Sequence, residues 1–235
     1  MRKSTVKEIQ IRFDNDVERF SNLDTGQVTT IDATISLEVL TEAAKRIVPN
    51  PQRLLDIGCG AGNYTIKMLS KTPNLHCTLV DLSQPMLDKA FERVSLSTTK
   101  KVETIQGDIR EVDLEEESYD IILAGAVLHH LRDDKDWETT FEKLFNLLKP
   151  GGCLMISDLI TQETAPLIEY TWDRYGEYLE GINGEKYRKQ VMDYIQLEDS
   201  PRSMTYQLDL MKKVGFRGTE ILHKNMCFGA FGGIK

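Results

Sequence analysis

Residues 54–62 read Leu-Leu-Asp-Ile-Gly-Cys-Gly-Ala-Gly, and this stretch decides the fold. The stretch begins within an apolar strand, and three alternate glycines follow that strand. Residues 63–71 then have the pattern of a helix. Glycine lets the backbone turn sharply and leaves no Cβ between a bound ligand and the main chain. The stretch therefore predicts a strand, a ligand-binding turn and a helix, in that order.

Further along the chain, short apolar runs keep alternating with helical patterns. The predicted strands are residues 53–57, 76–80, 102–106, 119–124 and 153–157. The predicted helices between them are residues 63–71, 85–94 and 137–148. This alternation is typical of an α/β fold, in which helices cover both faces of a parallel sheet.

The segments before and after this region do not show the same alternation of strands and helices. Residues 33–48 have a helical period near the N-terminus, and residues 163–193 form a long helical stretch rich in aromatic residues. A helix at residues 203–214 follows, and residues 218–223 and 227–231 have the pattern of a hairpin. We therefore expect additions at both ends of the central sheet.

The composition restricts the class of protein. The 235 residues include 29 basic and 37 acidic side chains, and the formal net charge of −8 argues against non-specific binding to nucleic acids or anionic membranes. No apolar run approaches the roughly 20 residues of a membrane helix, and no signal core follows Met1, so a soluble, cytoplasmic protein is expected. The cysteines stand far apart without a CxxC pair, which predicts reduced thiols and no metal site made of cysteines.

Acidic residues follow the next two strands. Asp81 ends the second strand, where a carboxylate can accept both hydroxyls of a ribose. Asp108 follows the third strand, with Ile109 and Leu82 as apolar walls for a purine. Helix capping or a solvated turn is the alternative for each aspartate. Because the carboxyl ends of parallel strands meet at one rim of the sheet, we expect these residues to share one nucleoside site.

The glycine spacing separates two kinds of nucleoside cofactor. The loop is GxGxG, and Asn63 stands where the dinucleotide fingerprint GxGxxG has its third glycine. An NAD-dependent oxidoreductase is therefore the less favoured interpretation.

Several motifs together resemble the class I S-adenosylmethionine (SAM)-dependent methyltransferases. They are residues 58–62, Asp81, Asp108, residues 119–131 and residues 148–158. The resemblance implies SAM as cosubstrate and a Rossmann-like, mostly parallel sheet of seven strands whose last strand is antiparallel. It also implies that the chain is one methyltransferase-type domain, with an N-terminal helical cap (1–50), a SAM-binding core (51–160), a helical lid insertion (161–200) and a C-terminal helix with hairpin strands (201–235).

The family's SAM-binding positions carry over by motif. The implied residues are Asp56 beneath the loop, Gly58, Cys59 and Gly60 at the methionine, Asp81 at the ribose, Leu82, Asp108 and Ile109 at the adenine, and Ala124 and Gly125 on the far side of the methionine. Either Arg12 or Arg19 can meet the SAM carboxylate, and the sequence does not choose between them.

Three residues are candidates for catalysis. His129 and His130 follow the fourth strand, and Asp158 ends the fifth. Histidine has an ordinary pKa near neutrality, which suits a base if the acceptor must lose a proton. Backbone hydrogen bonding by the histidines and capping by Asp158 are the structural alternatives.

The expected partner is a small-molecule acceptor, without direct nucleic-acid or membrane contact, and a homodimer is left open. We expect the aromatic stretch 170–194 to cover the acceptor site and the segment 13–31 to close the other side. The core-packing alternative for the aromatic residues stays open.

The C-terminal stretch 198–229 resembles carboxy-SAM synthases, enzymes of a tRNA-modification pathway. In that case Arg188 or Lys189 would meet the extra carboxylate. That family has asparagine where this chain has Gly125, which counts against the resemblance. A SAM-binding module without catalysis is a third interpretation.

Overall fold

Seven strands form one sheet in the computed structural model, which describes residues 2–22 and 27–235. The order across the sheet is β3-β2-β1-β4-β5-β7-β6. The strands are β1 (Arg53–Ile57), β2 (His76–Asp81), β3 (Val102–Gln106), β4 (Tyr119–Gly125), β5 (Leu148–Leu159), β6 (Arg217–Asn225) and β7 (Phe228–Ile234).

Strand directions confirm the predicted fold class. Strand β1 is parallel to β2 and β4, and β5 is parallel to β4. Strand β7 lies between β5 and β6 and is antiparallel to both. The carboxyl ends of β1, β2, β4 and β5 therefore meet at one rim.

Eight helices lie around the sheet in the described residues. They are α1 (Val6–Asn15), α2 (Val17–Ser21), α3 (Ala33–Ile47), α4 (Asn63–Lys71), α5 (Gln84–Ser95), α6 (Asp134–Leu147), α7 (Ala165–Glu198) and α8 (Met204–Val214). A 3₁₀ turn, Leu128–His130, follows β4. Helix α7 is interrupted at Asn183 and Gly184, whose backbone dihedral angles are not helical.

Each face of the sheet buries its own core. Neighbouring residues of a strand point to opposite faces, so Leu54 packs towards α3, α4 and α5 while Leu55 packs towards α6 and α8. Trp137 on α6 is fully buried in the second core. Burial of such a large side chain contributes on the order of 3–5 kcal/mol to stability, judged from the usual cost of truncating it to alanine.

A third cluster places α7 against the end of the sheet. Tyr175 and Leu179 of α7 pack with Leu159 of β5 and Phe228 of β7. Helices α1 and α2 lie near α5. In the described part of the chain, no helix combines the length and apolar character needed to cross a membrane.

Candidate active site

The rim formed by the strand ends opens into one large cavity. Its volume is about 1380 Å³, including the space at its mouth. Its lining joins the predicted nucleoside site to the ends of β4 and β5. Residues from the loop after β1, the ends of β2, β4 and β5, and helices α1, α2 and α7 line it.

The glycine loop lies on the floor of this cavity. Gly58, Cys59 and Gly60 line it, as the sequence predicts. Gly60 has φ of +50°, and a Cβ built there would meet no atom within 4 Å, so the space above it is open for a ligand. Cys59 is buried, and burial raises the pKa of its thiol well above the ordinary value.

Asp81 connects β2 to the glycine loop. Its Oδ2 accepts a 2.8 Å hydrogen bond from the backbone N–H of Gly60, and its Oδ1 accepts one of 2.9 Å from Ser83. The carboxylate also lines the cavity, where further lone pairs are available to ribose hydroxyls. Burial raises the pKa of Asp81, and the hydrogen bonds from Ser83 and Gly60 oppose that shift.

Asp56, which the resemblance places beneath the loop, is hydrogen-bonded to helix α4. It is 1% exposed, and its Oδ2 accepts a 2.6 Å hydrogen bond from Thr65 Oγ1 on α4. Burial raises the pKa of Asp56 to about 7, and the Thr65 hydrogen bonds reduce the shift. Asp81 makes the side-chain contact with the loop, since its Oδ2 accepts the hydrogen bond from Gly60.

The predicted adenine residues separate in the structure. Leu82 lines the cavity, whereas Ile109 is buried in the core with α6 and α8. Asp108 faces a second cavity of about 570 Å³ beside α1, and Arg110 occupies its carboxylate at 2.6 and 3.0 Å. Burial opposes the ionisation of Asp108, but Arg110 outweighs it and lowers the pKa.

The end of β4 is closely packed. Ala124 is buried in the core and does not reach the cavity, while Gly125 lines it. A Cβ at Gly125 would lie 2.6 Å from Cε2 of Tyr64, so a larger residue would have to displace that ring. Tyr64 lines the cavity as well and hydrogen-bonds with Ser157. Tyr64 was not predicted as a site residue, because its position depends on α4 packing against β4.

The candidate catalytic residues His129 and Asp158 form a buried pair. Nδ1 of His129 hydrogen-bonds with Oδ1 of Asp158, and the His129 backbone N–H donates to Oδ2 at 3.1 Å. Burial disfavours the charged ring, but Asp158 and Asp199 together raise the pKa of His129 to about 9. The two carboxylates therefore favour the protonated ring, and the role of His129 as a base stays a prediction.

His130 and Asp199 complete this wall. Oδ1 of Asp199 lies 3.2 Å from His130 Nδ1 and 3.7 Å from His129 Nε2. Burial and the charge on His129 lower the pKa of His130. Burial raises the pKa of Asp199, but the two histidines outweigh it and give a net lowering. Sequence spacing gave no sign of Asp199, because 69 positions separate it from His130 and only the fold brings them together.

Two arginines from the N-terminal helices reach the cavity. Arg12 is bound to Glu198, with Nε–Oε distances of 2.8 and 2.9 Å. Arg19 lies over the ring of Phe20, and its buried Nε has no hydrogen-bond partner among residues 2–22 and 27–235. Arg19 also pairs with Asp16 at 3.5 Å, so each arginine has an acidic partner and the choice between them stays open. Residues 23–26 of the predicted closing segment 13–31 lie outside the described residues.

Helix α7 contributes only part of the predicted aromatic lid to the cavity. Tyr175 and Tyr194 line it, whereas Trp172 and Tyr187 pack in the third core cluster. Tyr170 is 59% exposed. Arg188 and Lys189 lie outside the cavity lining and pair with Glu180 and Asp193 of the same helix.

Comparisons with known proteins agree with this geometry. The family model described as a methyltransferase domain matches residues 54–152, from β1 to the start of β5. The chain is 27% identical over 172 residues to a demethylmenaquinone methyltransferase of Lactococcus lactis, a match that covers 71% of this chain and 66% of that protein. Residues 54–152 therefore form a methyltransferase domain, and the chain is similar to the class I SAM-dependent methyltransferases.

Two further matches fit the same class. A malonyl-[acyl-carrier protein] O-methyltransferase of Halalkalibacterium halodurans is 39% identical over 124 residues, which are 52% of this chain and 44% of that protein. The solved 1,6-didemethyltoxoflavin-N1-methyltransferase of Burkholderia thailandensis matches with a TM-score of 0.65 at 16% identity, and the match covers 100% of this chain and 92% of that one. At that identity the likeness concerns the fold alone.

The class fixes the cosubstrate and leaves the acceptor open. SAM is the cosubstrate of these enzymes, and the loop of Gly58 and Gly60 with Asp81 is where its family motif lies in this chain. The chain spans about two thirds of the Lactococcus protein and less than half of the Halalkalibacterium protein.

Proposed function

We propose that the protein transfers the methyl group of SAM to a small-molecule acceptor held between the strand ends and helix α7. The continuity of the cavity carries this proposal. Gly60 and Asp81 line one part of it, and Asp158 and Tyr175 line another. A donor and an acceptor can therefore be aligned in one shared space.

Alignment is the main contribution of the protein to this chemistry. Methyl transfer from a sulfonium is an in-line displacement, and SAM itself carries the reactive group. Correct positioning of two reactants can supply roughly 7–11 kcal/mol of the barrier. The acceptor nucleophile forms a bond to the methyl carbon as the carbon–sulfur bond breaks, leaving S-adenosylhomocysteine (SAH).

The cavity wall suggests the kind of acceptor. Aromatic rings from Phe20, Tyr175 and Phe228 favour an apolar or planar body. The His129 ring, fixed by Asp158, is a polar group on the cavity wall and favours an acceptor that carries an oxygen or other electron-rich atom at the nucleophile. The relatives are named for different acceptors, a demethylated menaquinone and a malonyl group, so neither name is transferred to this chain.

Two observations disfavour the carboxy-SAM alternative. Arg188 and Lys189 are paired on the outside of α7, so neither provides the cation that the extra carboxylate needs. Tyr64 fills the space that an asparagine at position 125 would require. The similarity of the C-terminal stretch to those synthases stays a prediction.

Titration calorimetry followed by a turnover assay tests the proposal. We expect SAM and SAH to bind at micromolar concentrations, and methyl-labelled SAM to label at least one member of a panel of phenols, quinols, carboxylic acids and amines. No binding of either nucleoside at millimolar concentration would overturn it. Binding without turnover across the panel and in a metabolite extract would favour a non-catalytic SAM-binding module. Mass spectrometry of co-purified ligand distinguishes SAM or SAH from carboxy-SAM.

A further inference from the structure

Three side chains with metal-binding atoms meet on the cavity wall. His129 and His130 belong to the 3₁₀ turn after β4, and Asp199 follows the last residue of α7. One nitrogen of each histidine and one carboxylate oxygen of Asp199 all lie within 4.8 Å of one another. The two segments that bring them together are far apart in sequence, so the cluster is a product of the fold.

The first histidine of the cluster is held in a fixed orientation. Asp158 binds both Nδ1 and the backbone N–H of His129, which turns Nε2 towards Asp199. A carboxylate on the opposite ring nitrogen is the usual support of a metal-binding histidine, because it fixes the ring and makes the free nitrogen more basic.

Asp199 is held through its backbone, which leaves its carboxylate for the histidines. Lys3 donates to the carbonyl oxygens of Gln196 and Asp199, and Arg132 donates to that of Glu198. These are carbonyl groups at the end of a helix, which need partners from outside the helix. The backbone N–H of Ser200 also donates to the His129 carbonyl at 2.7 Å, which ties the end of α7 to the 3₁₀ turn.

Arginine charges near the cluster have partners of their own. Glu198 binds Arg12 through both carboxylate oxygens. Arg132 donates to the backbone carbonyl of Ser4 as well as to that of Glu198. The side-chain partners of Asp199 in the described residues are the two histidines, which gives the cluster two imidazoles and one carboxylate.

We propose that His129, His130 and Asp199 bind one divalent transition-metal ion. Bonds of about 2.0–2.2 Å place neighbouring donor atoms about 3–3.5 Å apart, close to the observed 3.2 and 3.7 Å from Asp199 to the two rings. Two imidazoles with one carboxylate suit Zn²⁺, Mn²⁺ or Fe²⁺. All three residues line the cavity, so the remaining coordination positions face the space for an acceptor.

This site would select the acceptor, an inference that rests on the proposed methyl transfer. A metal-bound hydroxyl group loses its proton more readily than a free one. The acceptor would release that proton to solvent, its oxygen would form the new bond to the methyl carbon, and the electron pair of the broken carbon–sulfur bond would stay on SAH. The site therefore points to acceptors with a hydroxyl or enol oxygen.

Metal binding is measurable without turnover. The full-length protein is stripped with EDTA, desalted and titrated with Zn²⁺, Mn²⁺ and Co²⁺ in equilibrium dialysis, with elemental analysis of the bound fraction. We expect one ion per chain, and for Co²⁺ a visible absorption band from nitrogen and oxygen ligands. Asp199→Asn is expected to weaken binding at least tenfold, and Asp158→Asn by about 10–100-fold through loss of ring orientation.

Matched variants make the result specific. Asp32 pairs with His223 at 2.9 Å elsewhere in the molecule, so Asp32→Asn removes a carboxylate from a histidine outside the cluster and should leave metal binding unchanged. His130→Gln replaces Asp199→Asn if circular dichroism shows the latter to be unfolded.

Failure of this inference is distinguishable from failure of the proposed function. Stoichiometric SAH binding without saturable metal binding below about 100 μM overturns the metal site alone. So does metal binding of wild-type affinity in Asp199→Asn, which would leave the cluster as histidines paired with carboxylates. Absence of both SAM and SAH binding overturns the proposed function instead.

Discussion

Gly60 donates its backbone N–H to Oδ2 of Asp81 over 2.8 Å, so the end of β2 holds the loop that follows β1. Asp81→Asn retains the size of the side chain but removes its charge and half of its accepting capacity. A hydrogen bond to a charged group contributes roughly 1.5–3 kcal/mol, so we expect SAM affinity to fall about 10–100-fold. Calorimetry with SAM measures this, and Asp88→Asn on the exposed face of α5 is the control.

A substitution at Gly60 also tests whether the ligand occupies the space next to this residue. Gly60 and Gly151 both have positive φ, +50° and +81°, and a Cβ at either position meets no protein atom within 4 Å. Alanine at each should therefore cost a similar 1–2 kcal/mol of backbone strain. Only Gly60→Ala fills the space of the ligand, so it alone should lower SAH affinity by tenfold or more. Equal SAH affinities for the two variants would contradict the assignment of this loop.

The sheet was predictable because its signals are local. Strand β1 and helix α4 begin and end at the predicted residues, since glycine at the turn and Pro73 beyond the helix mark the boundaries. Helix α1 was missed, although Thr5 and Glu8 form a capping box that the sequence pattern T-x-x-E announces. The four-segment division of the chain stays a prediction.

Residues of the site could be predicted from the sequence only where they directly follow a strand. Asp81 and Gly60 lie at strand ends, and the rule for parallel sheets places such residues at one rim. Asp199 and Tyr64 reach the cavity through the packing of helices, which depends on contacts distant in sequence. Asp108 follows β3 as predicted. Its carboxylate, however, pairs with Arg110, and this partner was not predicted.

The raised pKa of Asp56 predicts that its contribution to the free energy of unfolding decreases as pH rises. Its pKa is raised to about 7 in the folded chain, while an unfolded carboxyl ionises near the ordinary value of about 3.9. Between these values the native state holds more protons than the unfolded state, so the free energy of unfolding contributed by this group falls as pH rises.

Asp56→Asn removes this contribution while retaining an acceptor for Thr65. Urea unfolding at pH 4.5, 5.5, 6.5 and 7.5 should show that the variant gains stability relative to the wild-type chain as pH increases, with the difference levelling off above about pH 7. A constant difference across the series would mean that Asp56 is ionised throughout.

Arg12 and Glu198 join the N-terminal helix α1 to the end of α7 across the cavity. Their side chains are 23% and 8% exposed and form a two-point ion pair. Arg12 also lies over the rings of Phe13 and Tyr194, at 4.2 and 5.0 Å from their centroids. Removal of either charge leaves the other partly buried and unpaired, which destabilises the chain by roughly 2 kcal/mol.

A double-mutant cycle isolates this interaction. Arg12→Met, Glu198→Gln and the double variant are compared by urea unfolding and by calorimetry with SAH. We expect a coupling energy of about 1–3 kcal/mol, within the range for contacting residues. Lys189 and Asp193 form an exposed pair on the same helix at 2.5 Å, and the parallel cycle there should give less than about 1 kcal/mol. Similar coupling in both cycles would show that the pair across the cavity holds α1 no more firmly than a surface contact does. Arg12 of α1 lines the cavity, so we expect SAH to dissociate faster from Glu198→Gln than from the Asp193→Asn control.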